Sequence, residues 1–86
     1  MFALYQNYPN PFNPSTTIEY SLAKAAKVDL SIYNVLGQKI ATLVNSRQSA
    51  GIQQVVFDAS KLSTGVYFYR IQADDFVQVK KMLLMK

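Results

Sequence analysis

The chain has 86 residues, half of them hydrophobic, and carries a net charge of +4. Its six tyrosines and five phenylalanines supply apolar surface for a packed core, which disordered segments usually lack. The sequence contains no cysteine and no histidine, which excludes disulfides, thiolate metal sites and the Ser-His and Cys-His nucleophiles. Its basic residues are scattered rather than concentrated, so no nucleic-acid partner is expected.

A chain of this length suits one domain, and we expect residues 1–86 to form a single domain. Within it, residues 1–15 form a proline-rich N-terminal segment and residues 16–86 form a sandwich body. Met1 is not followed by basic residues and a continuous apolar run, so no signal peptide is expected here. No stretch reaches the length of a transmembrane helix, so direct membrane insertion is not expected.

Residues 4–7 are expected to form a short edge strand, and a proline-rich stretch follows over residues 8–14. Each proline biases the residue before it toward an extended conformation, and asparagine side chains bond to nearby backbone and imitate turns. One interpretation is a rigid loop that Phe12 anchors to the sandwich. The alternative is a recognition loop made of Asn10, Pro11, Phe12, Asn13 and Pro14. Physical reasoning alone favours the rigid loop, because most such stretches are structural.

Alternation of apolar and polar residues predicts two strands with one buried face each, over residues 17–22 and 27–33. Their inward side chains are predicted to be Ile18, Tyr20, Leu22, Val28, Leu30 and Ile32. Residues 34–37 then form a hairpin turn in which Gly37 takes the positive φ that such turns require. Residues 39–44 form the returning strand, and their broken alternation predicts a bulge or a twist.

The following residues, 45–51, are polar and without periodicity, which predicts an exposed loop. Residues 52–58 resume as a strand with Val55 and Phe57 inward, and residues 59–65 form a short turn held by Leu62. Two further strands are predicted over residues 66–73 and 76–85, joined by a turn at Asp74 and Asp75. Together these short strands and turns predict an all-β sandwich or small barrel.

The aromatic strand at residues 66–73 has two faces, and alternation places Tyr67, Tyr69 and Ile71 on one of them. Core packing is favoured for this strand, because a small sandwich needs large side chains to fill it. The alternative is an exposed aromatic platform for a sugar or a partner protein.

No catalytic residue, metal site or cofactor is predicted. The five acidic residues fall on outward strand faces, at a strand end or in a turn, and the three glycines are isolated. Paired carboxylates with separated pKa values, a calcium loop and a phosphate-binding loop are therefore missing. An enzyme is not expected.

Several motifs, in order, resemble one known family. Residues 4–18, LYQNYPNPFNPSTTI, resemble the opening of type A C-terminal sorting domains of the type IX secretion system. Residues 32–38 resemble the family's central hairpin, and residues 50–58 resemble its next strand. Residues 62–71 resemble its aromatic strand, and residues 80–86 resemble its closing strand. Phe57 stands where the family commonly has tryptophan. The similarity covers almost the whole chain.

The resemblance implies an immunoglobulin-like antiparallel β-sandwich of about seven strands, fused behind a signal peptide and a large N-terminal passenger. It implies recognition in the periplasm by shuttle proteins and export through the type IX translocon. A sortase-like peptidase then commonly removes the domain, and the passenger is attached to the cell surface or released. By position, the family's strand motif corresponds to Gly65, Val66 and Tyr67, and its terminal signal to Lys80, Lys81 and Lys86.

The opening motif also resembles immunoglobulin-like modules related to the flagellar hook-capping protein. Such modules serve as spacers or accessory domains of secreted hydrolases, including carbohydrate-associated ones. A terminal lysine directly after an apolar strand favours sorting, whereas a chain continuing beyond Lys86 would favour the spacer. We hypothesise that the folded sandwich is itself the signal, and that the edge at residues 76–85 accepts a strand from a partner.

Overall fold

In the computed structural model, which describes residues 1–86, all of the regular secondary structure is β-strand. The bounds are β1 Ala3–Leu4, β2 Ser15–Leu22, β3 Ala26–Tyr33, β4 Lys39–Gln48, β5 Gly51–Asp58, β6 Gly65–Ala73 and β7 Phe76–Leu84. Because no segment is helical, the structure holds no helix that could cross a membrane.

The strands form two antiparallel sheets. One sheet has the order β1-β2-β5 and the other has the order β4-β3-β6-β7. Each sheet is amphipathic, so their apolar faces pack together and leave the opposite faces exposed. The predicted all-β sandwich of about seven strands is confirmed.

The core lies between the sheets and contains the inward residues that alternation predicted. Ile18, Tyr20 and Leu22 of β2 are buried with Val28, Leu30 and Ile32 of β3. Strands β6 and β7 complete the core with Tyr67, Tyr69, Ile71, Ala73, Met82 and Leu84. Burial of each large apolar side chain contributes about 1.5–3 kcal/mol before conformational entropy is subtracted.

The hairpin between β3 and β4 has the predicted turn and the predicted bulge. Gly37 has a φ of +79°, and the Asn34 carboxamide oxygen accepts the N–H groups of Leu36 and Gln38 at 2.9 and 3.0 Å. The pairing register shifts twice along the hairpin, after Leu30 and after Ile32. The bulge explains why the apolar residues of β4 do not alternate.

The predicted loop at residues 45–51 is wrong. Strand β4 continues to Gln48 and β5 begins at Gly51, so only Ser49 and Ala50 lie between them. The polar half of β4 stays extended because it pairs with β3, where Asn45 lies opposite Asp29. As an edge strand with exposed side chains, this half of β4 has no apolar period for sequence analysis to detect.

Two smaller expectations also need correction. The N-terminal edge strand covers only Ala3–Leu4 rather than residues 4–7, because the pairing register shifts after Leu4 and pairing with β2 resumes only at the bridge between Tyr8 and Thr17. In the turn after β5, Leu62 packs on the core but is only half-buried, and the small side chain of Ala59 is the one fully enclosed.

Replacing Leu30 with alanine should lower the free energy of unfolding by about 2–5 kcal/mol, because the side chain is fully buried and leaves a cavity. Denaturant unfolding would measure the loss. The matched control is Val56→Ala on β5, where the side chain is 65% exposed and the change should stay within about 0.5 kcal/mol. Equal losses in both variants would contradict this placement of the core.

Candidate functional site

Three segments meet at one end of the sandwich, and we call this region the junction. It comprises the proline-rich residues 9–14, residues 63–67 at the start of β6 and residues 83–86 at the end of β7. The junction therefore brings together segments from opposite ends of the chain. Most residues that sequence analysis proposed for recognition lie here.

Main-chain hydrogen bonds join the proline-rich stretch to β7. The Phe12 N–H donates to the Leu83 carbonyl, and the Met85 N–H donates to the Phe12 carbonyl, both at 3.0 Å. The Leu83 N–H donates to the side-chain oxygen of Asn10 at 3.0 Å. Phe12 thus pairs with the end of β7 like one residue of an additional parallel strand.

The side chain of Phe12 fixes the same stretch to the other sheet. It is 2% exposed, and its ring lies 6.4 Å from the ring of Phe57 on β5, in a tilted arrangement that aromatic pairs prefer. Nearby, the Ala59 N–H donates to the Pro14 carbonyl at 2.9 Å. The predicted anchoring of the loop by Phe12 is confirmed.

The loop side chains differ in their availability to a partner. Pro11, Asn13 and Pro14 are exposed, as is Asn10, whose carboxamide is already bound to β7. Phe12 is enclosed and offers no contact surface. A partner that binds this loop would therefore meet its prolines and Asn13 rather than its aromatic ring.

A buried polar network holds the N-terminal segment on β6. The Tyr69 hydroxyl donates to the Tyr5 carbonyl at 2.7 Å and accepts the Asn7 N–H at 2.8 Å. The Asn7 side chain donates to the Thr16 hydroxyl at 3.0 Å, and that hydroxyl donates to the Pro9 carbonyl at 2.9 Å. No buried side-chain polar atom in the structure lacks a partner. Because every buried polar atom of the network has a hydrogen-bond partner, removing one member would leave another unpaired and lower the stability of the fold.

Burial raises the pKa of the Tyr69 phenol to about 12, although the hydrogen bond from the Asn7 backbone opposes the shift. Burial also raises the pKa of Tyr20. Desolvation disfavours the phenolate in both cases. Both side chains therefore remain neutral hydrogen-bonding groups at physiological pH.

The strand motif at the start of β6 lies beside the end of β7. Gly65 pairs with Leu84 and has a φ of +157°, a conformation that residues with a side chain rarely adopt. Tyr67 is buried, and its hydroxyl donates to the Ser63 carbonyl at 2.7 Å. Val66 points to the outer face and is half-buried. The motif thus shapes the turn into β6.

The three lysines of the terminal signal are not together. Lys86 lies at the junction, where its N–H donates to the Thr64 hydroxyl at 3.1 Å and its ammonium group donates to the Ser60 carbonyl at 2.6 Å. Lys80 and Lys81 lie within β7, and five residues of extended chain place Lys81 about 17 Å from Lys86. The structure groups Lys86 with the Gly65–Tyr67 motif and the proline-rich loop, and separates Lys80 and Lys81 from them.

The exposed side chains of the junction are mostly uncharged. No group of three or more acidic side chains in the structure is placed to hold a metal ion. The single ion pair, between Lys24 and Asp74 at 3.8 Å, is exposed and lies away from the junction. The exposed residues of the junction instead present backbone groups, proline rings and one ammonium group, that of Lys86.

Sequence analysis missed the residues that hold the junction closed. Alternation placed Tyr69 in the core but did not assign a partner to its hydroxyl, which a buried tyrosine usually needs. Asn7 and Thr16 appeared as ordinary polar residues beside the proline-rich stretch. Their roles depend on contacts between distant residues, such as the hydrogen bond between Asn7 and Tyr69, which are 62 positions apart in the sequence.

Comparison with known families gives one match. The model of the family described as "Secretion system C-terminal sorting domain" matches residues 6–85. This match confirms the resemblance to type IX sorting domains that the motifs carried. No curated protein matches the chain significantly. The family match includes the proline-rich stretch, the start of β6 and β7, which supply the three segments of the junction.

Replacing Tyr69 with phenylalanine should lower the free energy of unfolding by about 1–3 kcal/mol, because the Asn7 N–H and the Tyr5 carbonyl lose their partner. Chemical denaturation at neutral pH measures this loss. Tyr8→Phe is the control, since the Tyr8 side chain is 81% exposed. A neutral Tyr69→Phe variant would contradict the role of the network.

The same residue predicts an alkaline dependence. An unfolded tyrosine ionises near pH 10, and the pKa of folded Tyr69 is raised to about 12. Stability is therefore complete below about pH 10 and falls by about 2–3 kcal/mol as the pH rises to 12. Tyr69→Phe should lose less stability across this window than the unsubstituted chain, and equal losses would contradict the assignment.

Proposed function

Because the chain belongs to the family of type IX secretion-system C-terminal sorting domains, we propose that its folded sandwich is an export signal for a fused passenger. The family is a family of sorting signals and not of catalysts, and it implies a secreted protein that contacts the secretion machinery. The closure of the junction carries the proposal. The terminal strand is hydrogen-bonded to the N-terminal segment, so a partner meets both together.

In the finer proposal, shuttle proteins bind the domain in the periplasm and deliver it to the type IX translocon. A sortase-like peptidase then removes it, and the passenger is attached to the cell surface or released. Residues 1–15 and 16–86 act as one recognised unit in this scheme.

The recognition surface proposed here is the exposed part of the junction. It combines the loop residues Asn10, Pro11, Asn13 and Pro14 with Lys86, while Phe12, Gly65 and Tyr67 set its shape from within. Val66 borders it on the outer sheet face. Lys80 and Lys81 lie apart from it on β7 and alternate between its inner and outer faces, and a second part of the machinery contacts them.

An accessory or spacer module of a secreted hydrolase is the second candidate, and one groove favours it. On the outer face of the three-stranded sheet, Tyr5 and Tyr8 line a groove of about 490 Å³ with Thr17, Glu19 and Gln54. Exposed aromatic rings beside amide and carboxylate groups suit a sugar, because they offer both an apolar face and hydrogen bonds.

The deciding measurement is the surface fraction of a reporter that carries a signal peptide and residues 1–86. It is expressed in a host with an intact type IX system and in a translocon-deficient strain. We expect surface display only in the intact host. Periplasmic retention in both strains, with the domain folded and native cargo exported, would contradict sorting and favour the accessory module.

Deleting Lys86 from the same reporter should lower the surface fraction while the free energy of unfolding falls by only about 1 kcal/mol, since Lys86 is exposed and its two hydrogen bonds, to Thr64 and Ser60, lie at the surface. Lys39→Ala is the matched control, because Lys39 is also exposed and lies in β4 on the far edge of the sheet. Unchanged export after loss of Lys86 would remove it from the recognition surface.

A further inference from the structure

The outer edge of β7 is hydrogen-bonded in one half and open in the other. Both backbone groups of Leu83 point away from β6, since its N–H donates to Asn10 and its carbonyl accepts from Phe12. Strand β7 pairs with β6 without a register shift, so every second residue has this orientation. The backbone groups of Val77 and Val79 therefore point outward as well.

The N-terminal segment covers this edge only in part. It bonds to the Lys81 carbonyl through the Gln6 side chain at 2.8 Å, and then to Leu83 and Met85. At the other end of β7, Phe2 stacks on Phe76 with ring centroids 5.8 Å apart, between the sheets. No hydrogen bond within the structure reaches the outward groups of Val77 or Val79. The open stretch spans residues 76–80.

The side chains along the open stretch are apolar and exposed. Val77 is 47% exposed and Val79 is 51% exposed, on the outer face of the four-stranded sheet. Val79 also borders a shallow groove of about 390 Å³, whose other walls include Tyr33 and Phe68. An unpaired edge beside apolar side chains matches what an added strand requires, namely free backbone bonds and surface for alternate side chains.

Charge indicates the kind of strand that fits. Arg70 lies opposite Val79 on the same outer face, Lys81 follows two residues after Val79 on that face, and neither forms an ion pair. A strand with an acidic residue at this end would be attracted to the patch. A second copy of the chain would instead bring together two molecules that each carry a net charge of +4.

We propose that residues 76–80 of β7 form a strand-addition site for an extended segment of a secretion-machinery protein. The incoming strand places apolar side chains beside Val77 and Val79 and an acidic side chain near Arg70 and Lys81. This inference rests on the proposed sorting function for the identity of its partner. The site itself is a property of the isolated domain and is tested without export.

The test uses proline at an outward position. Val79→Pro removes an N–H that has no partner within the chain, so the β6–β7 ladder stays intact while the added strand loses a donor. The matched control is Val56→Pro on the edge strand β5. Thr17, opposite Val56, bonds to Tyr8 through both backbone groups, so the Val56 N–H also points outward.

The probe is the peptide Thr-Asp-Thr-Val-Thr-Val-Thr, compared with the same peptide carrying Lys in place of Asp. Amide hydrogen exchange and NMR titration follow the backbone of Val77 and Val79, which exchange rapidly in the free domain because they lack acceptors. We expect the Asp peptide to protect both amides and to bind more tightly than the Lys peptide. Val79→Pro should weaken binding about tenfold, and Val56→Pro should leave it unchanged.

Three results would overturn the proposal. Absence of protection at millimolar Asp peptide excludes the site, and equal binding of the two peptides excludes the charge argument. A dimer in sedimentation that Val79→Pro dissociates would assign the edge to a second copy.

In the reporter assay, Val79→Pro should lower surface display while Val56→Pro does not. Loss of export by the unsubstituted reporter would count against the sorting function and would leave the peptide result standing.

Discussion

The structure depends on one short run of main-chain pairing, between Phe12 and the end of β7. A sandwich of two small sheets has a limited core, so its edges must be closed by other means. Here the N-terminal segment supplies that closure, with the Phe12 ring as its apolar anchor and the Tyr69 hydroxyl as its polar one. Without this pairing, the whole length of β7 would be an unpaired edge.

This closure determines which surfaces are left for partners. The junction presents prolines, an asparagine and Lys86, whereas the first half of β7 presents unpaired backbone groups and valines, followed by Lys80 and Lys81. The two surfaces lie on one strand and are separated by the contact between Gln6 and Lys81. A single β-strand can therefore serve two binding events that differ in chemistry, one based on shape and one on strand pairing.

The strands with one apolar and one polar face could be predicted from the sequence. Strand segments with two polar faces, such as the end of β4, could not. The inward residues of β2 and β3 follow from alternation alone, whereas the polar end of β4 is held by its neighbour and carries no period. At the junction, Phe12 was predicted as an anchor from its setting among prolines. Its pairing with Leu83 and the partners of Tyr69 depend on contacts between distant residues, which one sequence does not reveal.

The pairing of distant segments also sets the order in which the domain is completed. Gln6 bonds to a residue 75 positions later, so this part of the N-terminal segment is not held in place until β7 has been synthesised. Contacts of such long range form late in folding, because the intervening chain must first be ordered. A chain truncated before β7 would lack the closed junction altogether. The fold thereby couples the finished surface to the presence of β7, since only a chain that includes residues 83–85 can close the junction.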